Sequence, residues 1–157
     1  MQELIKQVQE WAKQKGIDKP ESSQAQILKV YEEFGELCGA SLKKDSDGNV
    51  NMDNLKDAIG DTAVTLIILG TQQEIKFVTL DPLECDLIEL SSMINYVVTD
   101  WVRKSRMIEY RVNKTLCNLS YVALQYGVTL SECLELAYNE IKNRKGKTID
   151  GTFVKEQ

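Results

Sequence analysis

A chain of 157 residues is long enough to bury one hydrophobic core, so we expect a single domain over residues 1–157. Its formal net charge of −5 argues against a general nucleic-acid-binding protein, which is normally basic. The sequence contains no histidine, which excludes Ser-His-Asp and Cys-His nucleophiles and His-ligated zinc. Any metal would be held by oxygen ligands, which favours magnesium, manganese or calcium.

The N-terminal stretch is amphipathic, unlike a secretory signal, and the longest apolar run, AVTLIIL, is too short to cross a membrane. The four cysteines lack CxxC spacing and lie within apolar helical patterns, which is typical of reduced, buried thiols. We therefore expect a cytoplasmic protein with neither a membrane nor a nucleic-acid polymer as its partner.

Hydrophobic periodicity predicts helices along nearly the whole chain. The first helix keeps a helical period from Leu4 to Ala12 and is predicted to end at Gly16. A second is predicted over about 23–43, with its apolar stripe reaching Leu42. A polar loop follows, and Asp53 is the predicted N-cap of a third helix over about 54–71.

Two capping boxes mark later helix starts. Asp81-Pro82-Leu83-Glu84 predicts a fourth helix that carries the apolar residues from Leu87 to Trp101. Thr129-Leu130-Ser131-Glu132 predicts a sixth helix that stops near Gly146, after a fifth over about 107–126. No strand pattern is found. The predicted fold class is all-α, an antiparallel bundle of about five to six helices: a hairpin over about 23–71, a second over about 82–127, and a C-terminal helix with a basic tail over about 130–157.

Acidic side chains concentrate on two of the predicted helix faces. The second helix carries Glu32, Glu33 and Glu36 within about a quarter turn, and the third carries Asp57 and Asp61 one turn apart. Val64 and Ile68 continue the face of Asp61, so this acid points where its helix is otherwise apolar. A divalent cation or a basic partner would offset the cost of burying that charge.

Plainer interpretations remain for some of these residues. Glu32 fits a solvated helix face as well as a functional role, and Asp57 fits the positive N-terminal end of its helix. Gly35 and Gly60 lie within the acidic segments, where a mid-helix glycine costs about 1 kcal/mol relative to alanine. Close helix approach, or room for a ligand beside the acids, would explain them.

The pattern Glu32-Glu33-x-x-Glu36, followed by an acid-rich turn ending in Asp61, resembles the EExxE and ExxD motifs of the all-α MazG-like nucleoside triphosphate pyrophosphohydrolases. The segment WAKQKGI…QAQILKVYEEFGEL and the tail LAYNEIKNRKGKTIDGTFVKE are also similar to phage and bacterial members. The resemblance covers residues 1–70 and 128–155. It implies a four-acid magnesium cluster in which Glu33, Glu36 and Asp61 are three ligands. Ala58 stands at the fourth position, so the neighbouring Asp57 is expected to serve, directly or through water.

Basic residues cluster at the end of the sixth predicted helix, namely Lys142, Arg144, Lys145 and Lys147, with Asn139 one turn earlier. Taken alone, they fit C-terminal capping by cations as well as a functional role. The resemblance implies substrate binding by Asn139, Lys142 and Lys145, and Arg144 belongs to the same group. Trp11, Tyr31 and Tyr138 could stack on a base, although such residues are more often core.

The resemblance implies an Mg²⁺-dependent enzyme, with Mn²⁺ as a substitute, that cleaves a (d)NTP to a (d)NMP and pyrophosphate and clears unwanted nucleotides. Either Glu33 or Asp57 would orient or deprotonate the attacking water. We expect a homodimer or homotetramer, bacterial or phage-encoded and acting in the host cytoplasm. Two alternatives stay open: a narrower dUTPase or dCTPase of the same superfamily, and a non-catalytic helical binding module.

Overall fold

The structure is a computed structural model that describes residues 1–149 and 152–156. This part of the chain contains six helices, α1 (Gln2–Lys15), α2 (Ser23–Leu42), α3 (Met52–Gln72), α4 (Leu87–Val102), α5 (Ile108–Gln125) and α6 (Leu130–Ile141). A 3₁₀ turn, Pro20–Ser22, precedes α2. Strands β1 (Gly146–Ile149) and β2 (Thr152–Lys155) pair antiparallel, with Thr148 opposite Phe153. No helix within the described ranges is long and apolar enough to cross a membrane.

Helix α3 lies at the centre of the bundle and packs against α1, α2, α5 and α6. Every residue from Ala58 to Gly70 is buried except Asp61, which is half-buried. The apolar side chains all round this helix explain its central position, because each large one stabilises the fold by about 1.5–3 kcal/mol when it leaves water. The packing therefore fixes the backbone that carries Asp61.

Helices α3 and α6 approach each other most closely at Gly60. A Cβ at this position would lie 2.3 Å from the carbonyl oxygen of Cys133 and 2.9 Å from the Cβ of Ala137. Close helix approach is thus the reason for this mid-helix glycine, and it places Asp61 beside α6. Gly35 differs, since a Cβ there would meet only open space.

Several predicted boundaries are confirmed. Helix α1 ends at Gly16, which adopts the left-handed conformation with φ of 71° that glycine tolerates best. The second helix spans nearly the predicted range, and α6 begins at the predicted capping box, in which Thr129 and Glu132 exchange hydrogen bonds. The predominantly helical bundle is therefore as predicted.

The predicted start of α4 was wrong. Asp86, not Asp81, caps this helix, and Glu89 completes its capping box. The chain before it stays irregular because α5 holds it by polar contacts: the Lys114 ammonium donates to the Asp81 carbonyl at 2.8 Å, and the Asn113 side chain accepts from the Val78 N–H at 2.9 Å. Tertiary contacts thus override a local start signal.

Two further boundaries differ from prediction. The N-cap of α3 is Asn51 rather than Asp53, because the Asn51 side chain accepts from the N–H groups of Asp53 and Asn54. Helix α6 ends at Ile141, and residues 146–149 and 152–155 form a β-hairpin where no strand was predicted. Strands of four residues are too short for alternation to be visible in the sequence.

The apolar stripes predicted for α2 and α4 are only partly buried. Leu42 is 80% exposed, Ile88 is 78% exposed, and Tyr31 also faces solvent. These two helices contact each other little, so one side of each lacks a neighbour. The four cysteines are free, but only Cys85 and Cys133 are buried; the other two are half-buried.

Candidate functional site

A pocket of about 160 Å³ opens between α1, α2, α3, the end of α6 and the β-hairpin. Apolar side chains form most of its wall, including Val64 and Ile68 on the face of α3 that the sequence assigned to Asp61. Its charged lining residues are Lys29, Glu33, Asp61 and Arg144. The pocket therefore combines an apolar interior with two acids and two bases.

Asp61 is the most perturbed acid of this pocket. Burial raises its pKa to about 7, and the negative charges of Asp57 and Glu33 add to the rise against the opposing charge of Arg144. Within the described residues its carboxylate accepts no hydrogen bond and forms no ion pair. A half-buried carboxylate without such a partner is suited to bind a cation or a proton.

Glu33 is paired with a base that the sequence analysis did not single out. The Lys29 ammonium lies 2.9 Å from the Glu33 carboxylate and 2.7 Å from that of Glu32. Burial alone would lower the pKa of Lys29, but its hydrogen bonds to these two acids raise it overall. The sequence did indicate this pairing, because Lys29 precedes Glu32 and Glu33 by three and four residues, the spacing of ion pairs on one helix face.

The other predicted acids lie at or beyond the rim of the pocket. Glu32 and Glu36 are exposed and do not line it. Asp57 is also exposed but lies close enough to act on Asp61, and its own pKa is raised by burial and by the charges of Glu140 and Glu33. The structure therefore places Glu33, Asp57 and Asp61 near enough for their charges to act on one another, and it leaves Glu32 and Glu36 outside this group.

The acids of the pocket offer only oxygen ligands to a metal ion. In the described part of the chain, no three Asp, Glu or Cys side chains are close enough together to form a metal site in their present conformations. The donor chemistry does fit a hard divalent cation, because the group offers oxygen ligands and Asp61 has no other partner in the part of the chain that the structure describes. The negative charges of Asp57 and Glu33 raise the pKa of Asp61, and a bound cation would offset the repulsion among these carboxylates.

Arg144 is the residue of the basic tail that lines the pocket. Its guanidinium lies 3.1 Å from the Glu140 carboxylate, one helical turn earlier. The charges of both residues act on Asp57 and Asp61. Arg144 lowers the pKa values of these two acids, and Glu140 raises them. The sequence analysis did not include Glu140, although its spacing from Arg144 is that of an i,i+4 pair.

The remaining predicted substrate-binding residues lie outside the pocket. Lys142 and Asn139 are exposed, and the Lys142 ammonium donates to the Asn139 side chain at 2.6 Å. Lys145 is exposed, and its carbonyl accepts from the Glu156 N–H within the hairpin. These residues flank Arg144 along the chain and are available to solvent.

One residue of the pocket wall, Trp11, carries a buried polar group. Trp11 is 6% exposed, and its indole Nε1–H has no hydrogen-bond partner among residues 1–149 and 152–156. A buried donor left unpaired costs about 1–3 kcal/mol. Gln26 lies on the same wall and donates its amide to the Thr65 carbonyl at 2.9 Å, which ties α2 to α3.

Comparison with known proteins gives one relative from a phage. The chain is 37% identical over 75 residues to an uncharacterized 18.2 kDa protein in the rep-hol intergenic region of Haemophilus phage HP1 (strain HP1c1). The match covers 48% of this chain and 42% of the phage protein, so it spans less than half of either. No protein-family model matches the chain, and no solved structure matches it significantly.

Proposed function

We propose that this chain is a magnesium-dependent nucleoside triphosphate pyrophosphohydrolase, which converts a (d)NTP to a (d)NMP and pyrophosphate. The observation that carries the proposal is the position of Asp61, half-buried at an apolar pocket and close to Glu33 and Asp57. The resemblance of Glu32-Glu33-x-x-Glu36 and Asp61 to the MazG-like motifs supports it.

In this proposal the apolar interior receives the base and the charged residues receive the phosphates. Arg144 binds phosphate oxygens, because a guanidinium offers paired donors that match them. To bind phosphate, Arg144 separates from Glu140. The Arg144–Glu140 ion pair contributes little to stability because both side chains are partly solvated. Lys142, Lys145 and Asn139 add weaker contacts from the rim.

Glu33, Asp57 and Asp61 are the residues that would hold the magnesium ion; Glu36, which the resemblance implies as a further ligand, lies outside this group. The bound ion would supply charge to neutralise the phosphate oxygens as the bond breaks. Binding of the magnesium ion would require Glu33 to separate from Lys29, because the ion and the Lys29 ammonium compete for the same carboxylate. Asp57 or Glu33 orients the attacking water and accepts its proton, and the raised pKa of Asp57 suits it to that role.

We further propose a homodimer or homotetramer. Large apolar side chains on α2 and α4 face solvent in the single chain, among them Leu28, Leu42 and Ile88. Several large apolar side chains left in solvent favour a protein interface. Light scattering at micromolar concentration tests this, and a monomer would contradict it. The phage relative supports action in a host cytoplasm.

The test of function is pyrophosphate release from a panel of canonical and modified dNTPs, with millimolar Mg²⁺ or with EDTA. We expect release that requires the metal. Turnover restricted to dUTP or dCTP would favour the narrower enzyme. Absence of turnover on every member of the panel, in a folded protein, would refute the proposal and leave the binding module.

A further inference from the structure

The C-terminal β-hairpin forms one wall of the pocket through Phe153. Its ring lines the pocket and lies 5.6 Å from the Trp11 ring, centroid to centroid, at an interplanar angle of 69°. The next residue, Val154, is 45% exposed on the opposite face of the strand. The wall of the pocket thus contains two aromatic side chains in contact with each other.

Several contacts fix the position of the Phe153 ring. The Lys15 ammonium lies 5.3 Å from the ring centroid and donates to the Arg144 carbonyl at 2.7 Å. The hydroxyl of Thr148, opposite Phe153 in the hairpin, donates to the Lys15 carbonyl. A Cβ at Gly146 would lie 2.7 Å from the Phe153 Cζ, so the ring occupies space that only glycine leaves free.

The size of the pocket limits what it can hold. At about 160 Å³ it is smaller than the ~300–1,000 Å³ typical of small-molecule sites, so it has room for a ring but not for a whole nucleotide. The surrounding aromatic and aliphatic side chains favour a planar, weakly polar group. Heterocyclic bases are groups of this kind.

We propose that Phe153 determines which base the site accepts, acting as a size filter in the wall of the pocket. This inference rests on the proposed function and deepens it. Replacing the ring by a methyl group lengthens the pocket and admits larger bases, without touching Asp61, Glu33 or Arg144. Lys15 acts through Phe153 and is a positioning residue.

The experiment measures kcat/KM of the magnesium-loaded protein for the four canonical dNTPs. Three proteins are compared: the unchanged chain, Phe153→Ala, and Val154→Ala as the matched control on the same strand. We expect Phe153→Ala to raise the purine-to-pyrimidine ratio of kcat/KM by about tenfold, the discrimination that a small change in an apolar pocket gives. Val154→Ala should leave the ratio within about twofold. Equal ratios in all three folded proteins would overturn the inference while leaving the proposed function intact.

A second measurement tests the Phe153 size filter independently of the proposed hydrolysis. Binding of nucleoside monophosphates in EDTA, followed by the fluorescence of Trp11 in a Trp101→Phe background, needs neither metal nor hydrolysis. A ratio of affinities that changes in Phe153→Ala supports the size filter even if no triphosphate is hydrolysed. A ratio that Phe153→Ala leaves unchanged, or no binding at all, counts against the filter. Thermal melting followed by circular dichroism checks that each variant is folded.

Discussion

The ammonium of Lys29 is bound to Glu33 at 2.9 Å, on the side of α2 that faces Asp61. The positive charge in this part of the pocket is therefore supplied by the protein itself. A divalent cation at the same acids must replace that ammonium, because Glu33 cannot serve both fully. In the proposed magnesium site, Lys29 would therefore compete with the metal for Glu33.

The first prediction concerns this competition. In Lys29→Met, Glu33 loses its partner, so Mg²⁺ should bind more tightly and raise the unfolding temperature by more than it does in the unchanged chain. Calorimetry with EDTA and with millimolar Mg²⁺ measures the rise. Lys19→Met is the control, since Lys19 pairs only with Asp18, outside the pocket. A smaller rise in Lys29→Met than in the control would contradict the competition.

The second prediction concerns catalysis. Asp61→Asn should lower kcat by more than about 100-fold, because an amide lacks the charge a hard cation needs and even outer contacts to metal ligands are worth 10–100-fold. Packing should survive, since the two side chains are nearly isosteric. Asp53→Asn, an exposed acid in the first turn of the same helix, is the control and should stay active. A folded Asp61→Asn protein with near-normal turnover would rule out the metal-carboxylate mechanism.

The third prediction concerns pH. The folded pKa of Asp61 is about 7, above the ~3.9 of an unfolded aspartate, so the folded state binds this proton more tightly. The stability that results is fully present below about pH 4 and is lost as the pH rises through 7. In EDTA, Asp61→Asn should therefore be more stable than the unchanged chain at pH 8 and not at pH 4. Denaturant titrations at both values measure this, and an identical difference at both would contradict the raised pKa.

The fourth prediction compares two cations of the basic tail. Arg144→Gln should raise KM for a hydrolysed dNTP about tenfold or more, because Arg144 lines the pocket. Lys142→Ala should raise it less, since Lys142 is exposed and hydrogen-bonded to Asn139. Steady-state kinetics measure which of the two variants has the larger KM. A larger effect at Lys142 would place the phosphates outside the pocket.

The fifth prediction uses the two mid-helix glycines as a matched pair. Gly60→Ala places a methyl group against the Cys133 carbonyl and should destabilise the protein by about 1–3 kcal/mol. Gly35→Ala meets open space and should stabilise it by about 0.5–1 kcal/mol through backbone entropy. Urea unfolding measures both. Equal effects would mean that α3 and α6 do not approach each other as described.

The sequence predicted what depends on local spacing. Helical periodicity located the six helices, and the run from Asp61 through Val64 to Ile68 indicated an acid on an apolar face, which the pocket confirms. The sequence did not reveal the pocket wall formed by Trp11 and Phe153, since these residues meet only through tertiary folding. The start of α4 was misplaced for the same reason, because its preceding segment is held by Asn113 and Lys114 on α5.

The contacts of Lys15 have a consequence for synthesis. Its partners, the Arg144 carbonyl and the Thr148 hydroxyl, lie 129 and 133 residues further along the chain. At translation rates of about 5–20 residues per second, the ribosome reaches them roughly 6 to 26 s after it has made Lys15. During this interval the central helices can pack while the pocket still lacks its last wall. The nascent chain can thus acquire its core before the hairpin wall of the pocket has been synthesised.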